Sequence, residues 1–241
     1  MDRALELLSE RGFAFAEGKA CRAVMERAGA DFSDWEAFAA SWNDLGDDPY
    51  LARQHMQRRR RHGVYRAQAG ARPDRLPNRP HYQAPEYNPL QGGIDRHFEA
   101  IDAAVGAGAT MTSLIGFGAE FFSKLAEAGV AFDVEAHQFR IEACSDDPGF
   151  PTPEGAHRDG VDFVLVLMVH RENLRSGTTT IHALDGEELG AFTLEAPFDA
   201  AFVHDRRVLH GVTPVEILEP SRPAFRDVLV VTYRIAAAAK T

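Results

Sequence analysis

Cysteine is nearly absent from this sequence of 241 residues, which contains only Cys21 and Cys144. The two lie far apart and neither belongs to a C-x-x-C pair, which argues against a thiolate zinc site and against a disulfide framework. Long apolar runs are also absent, since none approaches the ~18 residues that a membrane-spanning helix requires. Acidic residues interrupt the first positions, so we find no signal-peptide core and expect a cytoplasmic protein.

Positive charge is scarce as well, because 26 Lys and Arg oppose 36 Asp and Glu and give a net charge of -10. Non-specific binding to nucleic acid needs excess Lys and Arg to neutralise phosphates, so the composition argues against a nucleic-acid partner. The four arginines at residues 58–61 are a local exception. We interpret them as a solvated helix face instead of an anion anchor, because an acidic chain repels an approaching polyanion.

The two halves of the chain differ in pattern. Residues 1 to about 62 and 97–128 have the character of helices, and residues 66–93 form a loop rich in proline and tyrosine. From residue 130 onward, short strand-like segments are separated by turn signals, at 132–142, 161–169, 178–182, 189–194, 200–203 and 228–235. Such a series without intervening helices favours a sandwich or jelly roll. We therefore predict an α+β fold in a single domain over residues 1–241, with residues 1–129 packed on a β-core at residues 130–235.

The most informative motif is the pair His157 and Asp159, which is answered by His210 in the strand-rich half. Positions i and i+2 of a strand face the same way, so both side chains of the pair can point at one metal ion. Two imidazoles and one carboxylate form the facial triad of non-haem Fe(II) oxygenases, which leaves part of the iron open for substrate and O2. The sequence therefore predicts that these three residues are the metal ligands and the catalytic centre.

Each of these histidines has a plainer interpretation when it is taken alone. His157 fits a hydrogen-bonded loop histidine, and His210 fits a core histidine satisfied by a backbone carbonyl. The chain contains ten histidines, so a single one carries little information. The combination of three ligand types in a strand-rich region favours the metal interpretation.

A basic residue downstream strengthens that interpretation. Arg226 opens the last predicted strand, and period two places it on the same face as the apolar Val228 and Val230. An inward guanidinium with apolar neighbours requires an anionic partner, and the far carboxylate of 2-oxoglutarate suits it. Arg222, between two prolines, is the rival anchor, and a surface pair with Asp227 is the alternative role for Arg226.

Several segments together carry a family resemblance, namely HYQAPEYNPLQGGIDRHF, PEGAHRDGVDFV, HRENLRSG, FVHDRRVLHGVTPV and RDVLVVTYR. They resemble the 2-oxoglutarate/Fe(II)-dependent dioxygenases typified by bacterial L-isoleucine 4-hydroxylase, from about residue 58 to residue 234. The resemblance implies a double-stranded β-helix of the cupin-like jelly-roll type, Fe(II) and 2-oxoglutarate. It also implies hydroxylation or sulfoxidation of a free L-amino acid with release of succinate and CO2, by His157, Asp159 and His210 with Arg226 as cosubstrate anchor.

An amino-acid substrate needs partners for its carboxylate and its ammonium group. Gln138 and Arg140 share one face of the strand that precedes the metal motif, where they are candidates to line the mouth of the site. An ordinary solvent face explains them equally well. Arg158, between two of the ligands, is a further candidate for an anion, and Asn88 and Arg96 belong to the proline-rich segment, which we interpret as a lid.

Other functions stay open on the sequence alone. A cupin-like metal enzyme that does not use 2-oxoglutarate would keep the triad without needing Arg226. A non-catalytic β-domain would bind a small ligand, and the same oxidative chemistry could act on a peptide. We expect a small-molecule substrate and O2 as partners and no membrane, and a homodimer is compatible with the aromatic residues of the N-terminal helices.

Overall fold

The computed structural model describes residues 2–51, 58–145 and 147–237. The helices are α1 (Asp2–Arg11), α2 (Gly18–Arg27), α3 (Trp35–Ala40) with a 3-10 turn at Ser41–Asp44, α4 (Ala103–Gly106) and α5 (Ala109–Ser123). The strands are β1 (Phe13–Ala16), β2 (Gly46–Asp47), β3 (Arg58–Gln68), β4 (Asp74–Leu76), β5 (Ala131–Glu142), β6 (Phe163–Glu172), β7 (Leu174–Ser176), β8 (Thr178–His182), β9 (Glu188–Thr193), β10 (Ala200–His204), β11 (Leu209–Val212), β12 (Val215–Ile217) and β13 (Phe225–Ile235). Within these described ranges, no helix is both long and apolar enough to cross a membrane.

A large antiparallel sheet, the main sheet, organises the chain. Its strand order is β1-β10-β6-β13-β5-β3-β2, and β4 pairs with β3. The strands β11-β8-β9 form a second sheet, and β12 pairs with β7. A main sheet faced by shorter strands, with helices on its outer side, is the predicted jelly roll with a helical layer, so the predicted fold class is confirmed.

Strand β13 shows how the main sheet serves two different surfaces. Leu229 and Tyr233 point to the helices and belong to the large hydrophobic core there. Arg226 and Val230 point the other way, into a cavity between the main sheet and the β11-β8-β9 sheet. The face of the sheet toward the helices is therefore part of the hydrophobic core, and the face toward the cavity can carry functional groups.

Phe122 of α5 anchors the helical layer to the main sheet. Its ring stacks on Phe163 at a centroid distance of 4.8 Å and meets Tyr233 edge-on at 5.0 Å. The Tyr233 hydroxyl donates to the carbonyl oxygen of Ile115 at 3.0 Å. This hydroxyl lies against Gly118, where an added Cβ would stand only 2.1 Å from the Tyr233 oxygen. Helix α5 can approach the sheet closely because residue 118 has no side chain.

The predicted strands of the C-terminal half correspond to β5, β6, β8, β9, β10 and β13. The prediction of a helix up to residue 62 is wrong, because residues 58–62 lie in β3, which pairs with β5 along its whole length. The arginine run is consequently divided between two faces of a strand, and Arg60 is only 3% exposed, not solvated. Four identical side chains carry no period, so the run itself could not distinguish a strand from a helix.

The close approach of α5 gives a test of the packing. We expect Gly118→Ala to lower the free energy of unfolding by about 1–3 kcal/mol, because the new methyl group must displace Tyr233 or the helix. Gly116→Ala in the same helix is the matched control. Its Cβ would meet only Pro73 at 3.6 Å, an ordinary contact, so the better helix propensity of Ala should leave the protein equally or more stable. Urea unfolding of both variants measures the difference, and equal effects would contradict the packing described.

Candidate metal centre and cavity

The structure brings the three predicted ligands together. His157 and His210 form an isolated antiparallel bridge, in which each backbone N–H donates to the carbonyl of the other residue at 2.9 Å. Asp159 lies between the two rings, with Oδ1 3.6 Å from Nε2 of His157 and Oδ2 3.6 Å from Nε2 of His210. The potential ligand atoms all lie within 4.8 Å of one another.

The hydrogen bonds and charges of these side chains suit a divalent metal. Nδ1 of His157 lies 3.0 Å from the carbonyl oxygen of Gly155, which can only accept, so Nδ1 carries a proton and Nε2 is the nitrogen left for a metal. Burial, followed by the charge of His157, lowers the pKa of His210 to about 4, so that ring is neutral and also offers a lone pair. Burial lowers the pKa of His157, but the hydrogen bond and the charge of Asp159 outweigh it and raise that pKa to about 9, so a bound metal would replace the proton on Nε2. Two imidazoles and one carboxylate are the donor set of the Fe(II) facial triad.

Asp205 holds the loop that carries Asp159. Its Oδ1 accepts from the backbone N–H of Asp159 at 2.8 Å, and its Oδ2 accepts from Gly160 at 2.8 Å and Val161 at 3.0 Å. Asp205 is only 1% exposed, so the three N–H groups have no competing water. The loop turns at Gly160, where φ is +77° and an added Cβ would stand 2.5 Å from the Tyr87 ring. The hydrogen bonds of Asp205 thus fix the backbone of the loop that carries the predicted metal ligand Asp159.

The proline-rich segment holds the same ligand from the other side. Nε2 of Gln83 donates to Oδ1 of Asp159 at 3.3 Å. Oε1 of Gln83 accepts from Arg96 at 2.6 Å and from Asn88 at 3.2 Å. The segment therefore does contribute to the site, through a relay that connects the Arg96 guanidinium to the carboxylate of Asp159.

A cavity of about 370 Å³ extends from the triad between the two sheets. Arg226 lines it, is 2% exposed, and has no hydrogen-bond or ion-pair partner among the residues that the structure describes. Burial, with a smaller effect of Arg171, lowers the pKa of Arg226 to about 10, so the guanidinium remains charged at neutral pH. Asp227 is not its partner, because both carboxylate oxygens of Asp227 accept from Arg140 at 2.7 Å. A buried charge without a partner marks a place for an anion.

The rival anchor Arg222 lies elsewhere. Its side chain is 53% exposed and pairs with Glu172 and Glu219 on the surface. It does not line the cavity, so the structure gives it no access to the triad.

A second cluster of histidine and glutamate faces the same cavity. It consists of His62, His81, Glu135 and His137, whose nitrogen and oxygen atoms also lie within 4.8 Å of one another. Oε2 of Glu135 lies 3.3 Å from Nε2 of His62 and 2.5 Å from Nδ1 of His81, and Arg60 donates to Nδ1 of His137 at 2.8 Å. Burial alone would raise the pKa of Glu135, but the hydrogen bonds from His62 and His81 outweigh it and lower the pKa far below its usual range. These hydrogen bonds engage Oε2 of Glu135 and Nδ1 of His137, and the charged guanidinium of Arg60 adjoins the cluster, so we interpret it as a polar network instead of a second metal site.

Two of the predicted substrate residues are on the wrong side of β5. Gln138 donates to Oγ of Ser41 at 2.8 Å, and Arg140 pairs with Asp227. The residues of β5 that line the cavity are the alternate ones, among them Glu135 and His137. The prediction that Gln138 and Arg140 line the site is corrected accordingly.

Arg158 also lies outside the cavity lining. Its guanidinium carbon stands 5.2 Å from the centre of the Tyr87 ring. The prediction that His157 and Asp159 lie on a strand is corrected, because both are in a loop in which His157 forms only an isolated bridge. The two ligands nevertheless line the cavity, whereas residue 158 between them does not.

Sequence reasoning missed Glu135, His137, Arg60 and Gln83 as cavity residues. The signal for β5 was present, because titratable residues on the otherwise apolar face of a half-buried strand need a reason to be there. The signal for Arg60 depended on recognising β3 as a strand. Gln83 carried no signal, because only the folded loop brings it to Asp159.

Comparison with known proteins places these features in a family. The model of the 2OG-Fe dioxygenase family matches residues 39–232. L-isoleucine-4-hydroxylase of Bacillus thuringiensis is 29% identical over 156 residues, and 3(1)-hydroxy-L-isoleucine 4-dioxygenase of Pantoea ananatis (strain AJ13355) is 28% identical over 159 residues. Each match covers 64% of this chain, and the chain spans 64% of the length of each of these curated relatives. The crystal structure of a bsmA homolog from Methylobium petroleophilum PM1 is 34% identical, with a TM-score of 0.83, over 99% of this chain and 95% of that one.

The support of Asp159 by Asp205 predicts a specific effect on metal binding. In Asp205→Asn an amide NH2 faces backbone N–H groups, so at least one hydrogen bond is lost and the ligand loop is released. We expect roughly 10–100-fold weaker binding of Co(II) to the anaerobic protein, with a loss of about 1–3 kcal/mol in unfolding free energy. A Co(II) titration followed by absorption, together with thermal unfolding, measures both.

Asp199 provides the matched control. It is 5% exposed and accepts three backbone N–H groups in the same pattern, one on Oδ1 from Gly18 and two on Oδ2 from Glu195 and Ala196. Asp199→Asn should cost similar stability and leave the Co(II) affinity unchanged. Equal loss of affinity in both variants would show that Asp205 acts only through general stability.

Proposed function

Because the chain belongs to the 2OG-Fe dioxygenase family, we propose that it oxidises a small substrate, a free L-amino acid, with Fe(II), 2-oxoglutarate and O2. The observation that carries the proposal is the buried guanidinium of Arg226, which shares the cavity of the triad and has no partner in the described part of the chain. The triad alone fits many metal enzymes, whereas a triad with a buried anion anchor fits a carboxylate cosubstrate.

In this proposal His157, Asp159 and His210 hold Fe(II), and Arg226 binds the far carboxylate of 2-oxoglutarate. When bound, Fe(II) and 2-oxoglutarate supply the oxidising power: one oxygen atom of O2 goes to the substrate, and the other leaves in succinate as CO2 is released. Hydroxylation of a C–H bond and sulfoxidation of a thioether both take one oxygen atom of O2 in this way.

The protein residues do the positioning. Gln83 and Asp205 fix Asp159, one at its carboxylate and one at its backbone. The wall between the triad and Arg226 is apolar and excludes water from the reacting bond; it consists of Val161, Val166, Ala201, Val203, Val212, Val228 and Val230.

Two observations support an amino acid as the substrate. The two curated relatives are named for an isoleucine and a hydroxy-isoleucine substrate, which is a property of those proteins. In this chain, the end of the cavity formed by β3 and β5 presents both arginine and glutamate side chains, which suits a small ligand carrying both charges. A metal enzyme that does not use 2-oxoglutarate would leave Arg226 without an anion, so that alternative is less well supported.

The first experiment tests the reaction. Anaerobic protein is mixed with Fe(II), 2-oxoglutarate and a pool of free L-amino acids, air is admitted, and succinate and mass gains of one oxygen are followed. We expect succinate that depends on the amino acid and vanishes in His157→Ala. Succinate that forms only with peptides would transfer the proposal to a peptide substrate, and no consumption of 2-oxoglutarate under any condition would refute it.

The anchor is tested separately. We expect Arg226→Gln to raise the KM for 2-oxoglutarate roughly 30-fold, because a buried charge-assisted contact worth about 2 kcal/mol is lost. Arg222→Gln removes a surface arginine four residues earlier in the chain and should leave the KM unchanged. Equal values of KM in both variants would remove Arg226 from the cosubstrate site.

A further inference from the structure

We infer that Arg60, Arg96 and Glu135 form a subsite for a zwitterion, in which the two guanidinium groups bind an α-carboxylate and Glu135 binds an α-ammonium group. The inference rests on the proposed function and deepens it, since it states how this chain would recognise a free amino acid. All three residues line the cavity that contains the triad.

The arginine end of the cavity has more positive charge than the described residues neutralise. Arg58 takes both good contacts to the buried Asp48, through Nε at 3.1 Å and a terminal nitrogen at 2.7 Å. Arg60 reaches the same carboxylate only at 3.6 Å, and Arg96 bonds to the neutral side-chain oxygens of Gln91 and Gln83. Among the described residues, Asp48 is thus the one carboxylate within ion-pair distance of any of these three guanidinium groups, and Glu154 acts on Arg96 only from farther away, which leaves a requirement for an anion.

Arg60 and Arg96 are also held rigidly for such an anion. Each is 2–3% exposed, and the Nε atom of each is buried without a hydrogen-bond partner. The guanidinium of Arg60 lies 3.4 Å from the centre of the Phe98 ring and 4.6 Å from that of Phe139. Flat contact with aromatic rings fixes the plane of the donor fork, which is the geometry that a carboxylate recognises.

Glu135 offers the complementary charge. His62 and His81 occupy its Oε2, whereas the only close cation to Oε1 among the described residues is the half-exposed Arg79 at 3.5 Å. The side chain is 18% exposed and lines the cavity. A primary ammonium group is small and carries three donors, and it suits this oxygen.

The spacing of the Arg60 and Glu135 charges suits a small zwitterion such as an α-amino acid. Arg60 contacts the Nδ1 side of the His137 ring at 2.8 Å, and Glu135 lies 3.9 Å from its Nε2 side. The Arg60 guanidinium and the Glu135 carboxylate, measured to its Oε2, therefore lie on opposite sides of one imidazole ring, and a small ligand with its two charged groups close together can contact both. The same subsite adjoins the metal centre, because Gln83 links Arg96 to Asp159.

The test compares an amino acid with the two molecules that lack one of its charges. Binding is measured by calorimetry to the anaerobic protein with Fe(II) and 2-oxoglutarate, first for L-isoleucine, L-leucine and L-methionine. The tightest of the three is then compared with its deaminated acid and its decarboxylated amine. We expect the wild-type protein to prefer the amino acid over each analogue by about tenfold or more.

Each variant should abolish one preference and keep the other. Glu135→Gln should bind the amino acid and the deaminated acid with nearly equal affinity, whereas Arg60→Gln and Arg96→Gln should lose the preference over the amine. Arg59→Gln is the matched control, because Arg59 is the neighbour of Arg60 in β3, does not line the cavity and pairs with Glu142. Ratios are compared within each variant, so a partly unfolded sample does not distort them, and Arg96→Gln carries the test where Arg60→Gln does not fold.

Three outcomes would overturn the inference. Wild-type protein that turns over amino acids without preferring them to either analogue would refute the subsite and leave the proposed function standing. Protein that neither binds nor oxidises any amino acid would refute both. Two equivalents of tightly bound Fe(II), one of which is lost in Glu135→Gln, would assign the His62-His81-Glu135 network to a second metal.

Discussion

The alternation of β13 and β5 across the main sheet is the constraint on which the rest of the structure depends. Leu229 and Tyr233 must face the helices for the core to close, and this fixes Arg226 and Val230 in the cavity. A slip of one residue would turn Arg226 toward the helical side of the sheet and turn the apolar set away from the core. Because the register is set by many apolar contacts on one face, charged groups on the other face can be held without stabilising the fold themselves.

Buried charges in this protein fall into two classes, and the difference locates the ligands. Arg140 pairs with both oxygens of Asp227, and Asp205 accepts three backbone N–H groups, so these side chains have their hydrogen-bond partners inside the chain. Arg226 has no partner among the described residues, and Arg60 shares one distant carboxylate. Leaving a buried charge unpaired costs stability, so such groups persist where a ligand completes them.

The residues of the metal centre could be predicted from the sequence, whereas most of the cavity lining could not. His157, Asp159 and His210 could be found because the spacing of the pair and the strand-rich character of the region are local properties of the sequence, although the pair itself lies in a loop between two strands. The strand faces were separated correctly in β5, but the wrong face was assigned to the site. The face of β5 that packs on the helices changes from Val134 and Ala136 to Gln138 and Arg140, which are satisfied by Ser41 and Asp227. Those partners lie far away in the chain, so no local pattern could show that the polar residues were already paired.

A cavity with two anion sites must also keep the cosubstrate out of the substrate end. 2-Oxoglutarate carries a carboxylate at each end, so in the zwitterion subsite its remaining negative charge would approach Glu135. Hydrogen bonds from His62 and His81 keep Glu135 ionised, and Oε1 then repels an anion as strongly as it attracts an ammonium group. At the other end, Arg226 has no carboxylate within ion-pair distance among the described residues, so nothing there would repel the anion proposed for it. The same glutamate that recognises the amino acid would thereby give each end of the cavity its own ligand.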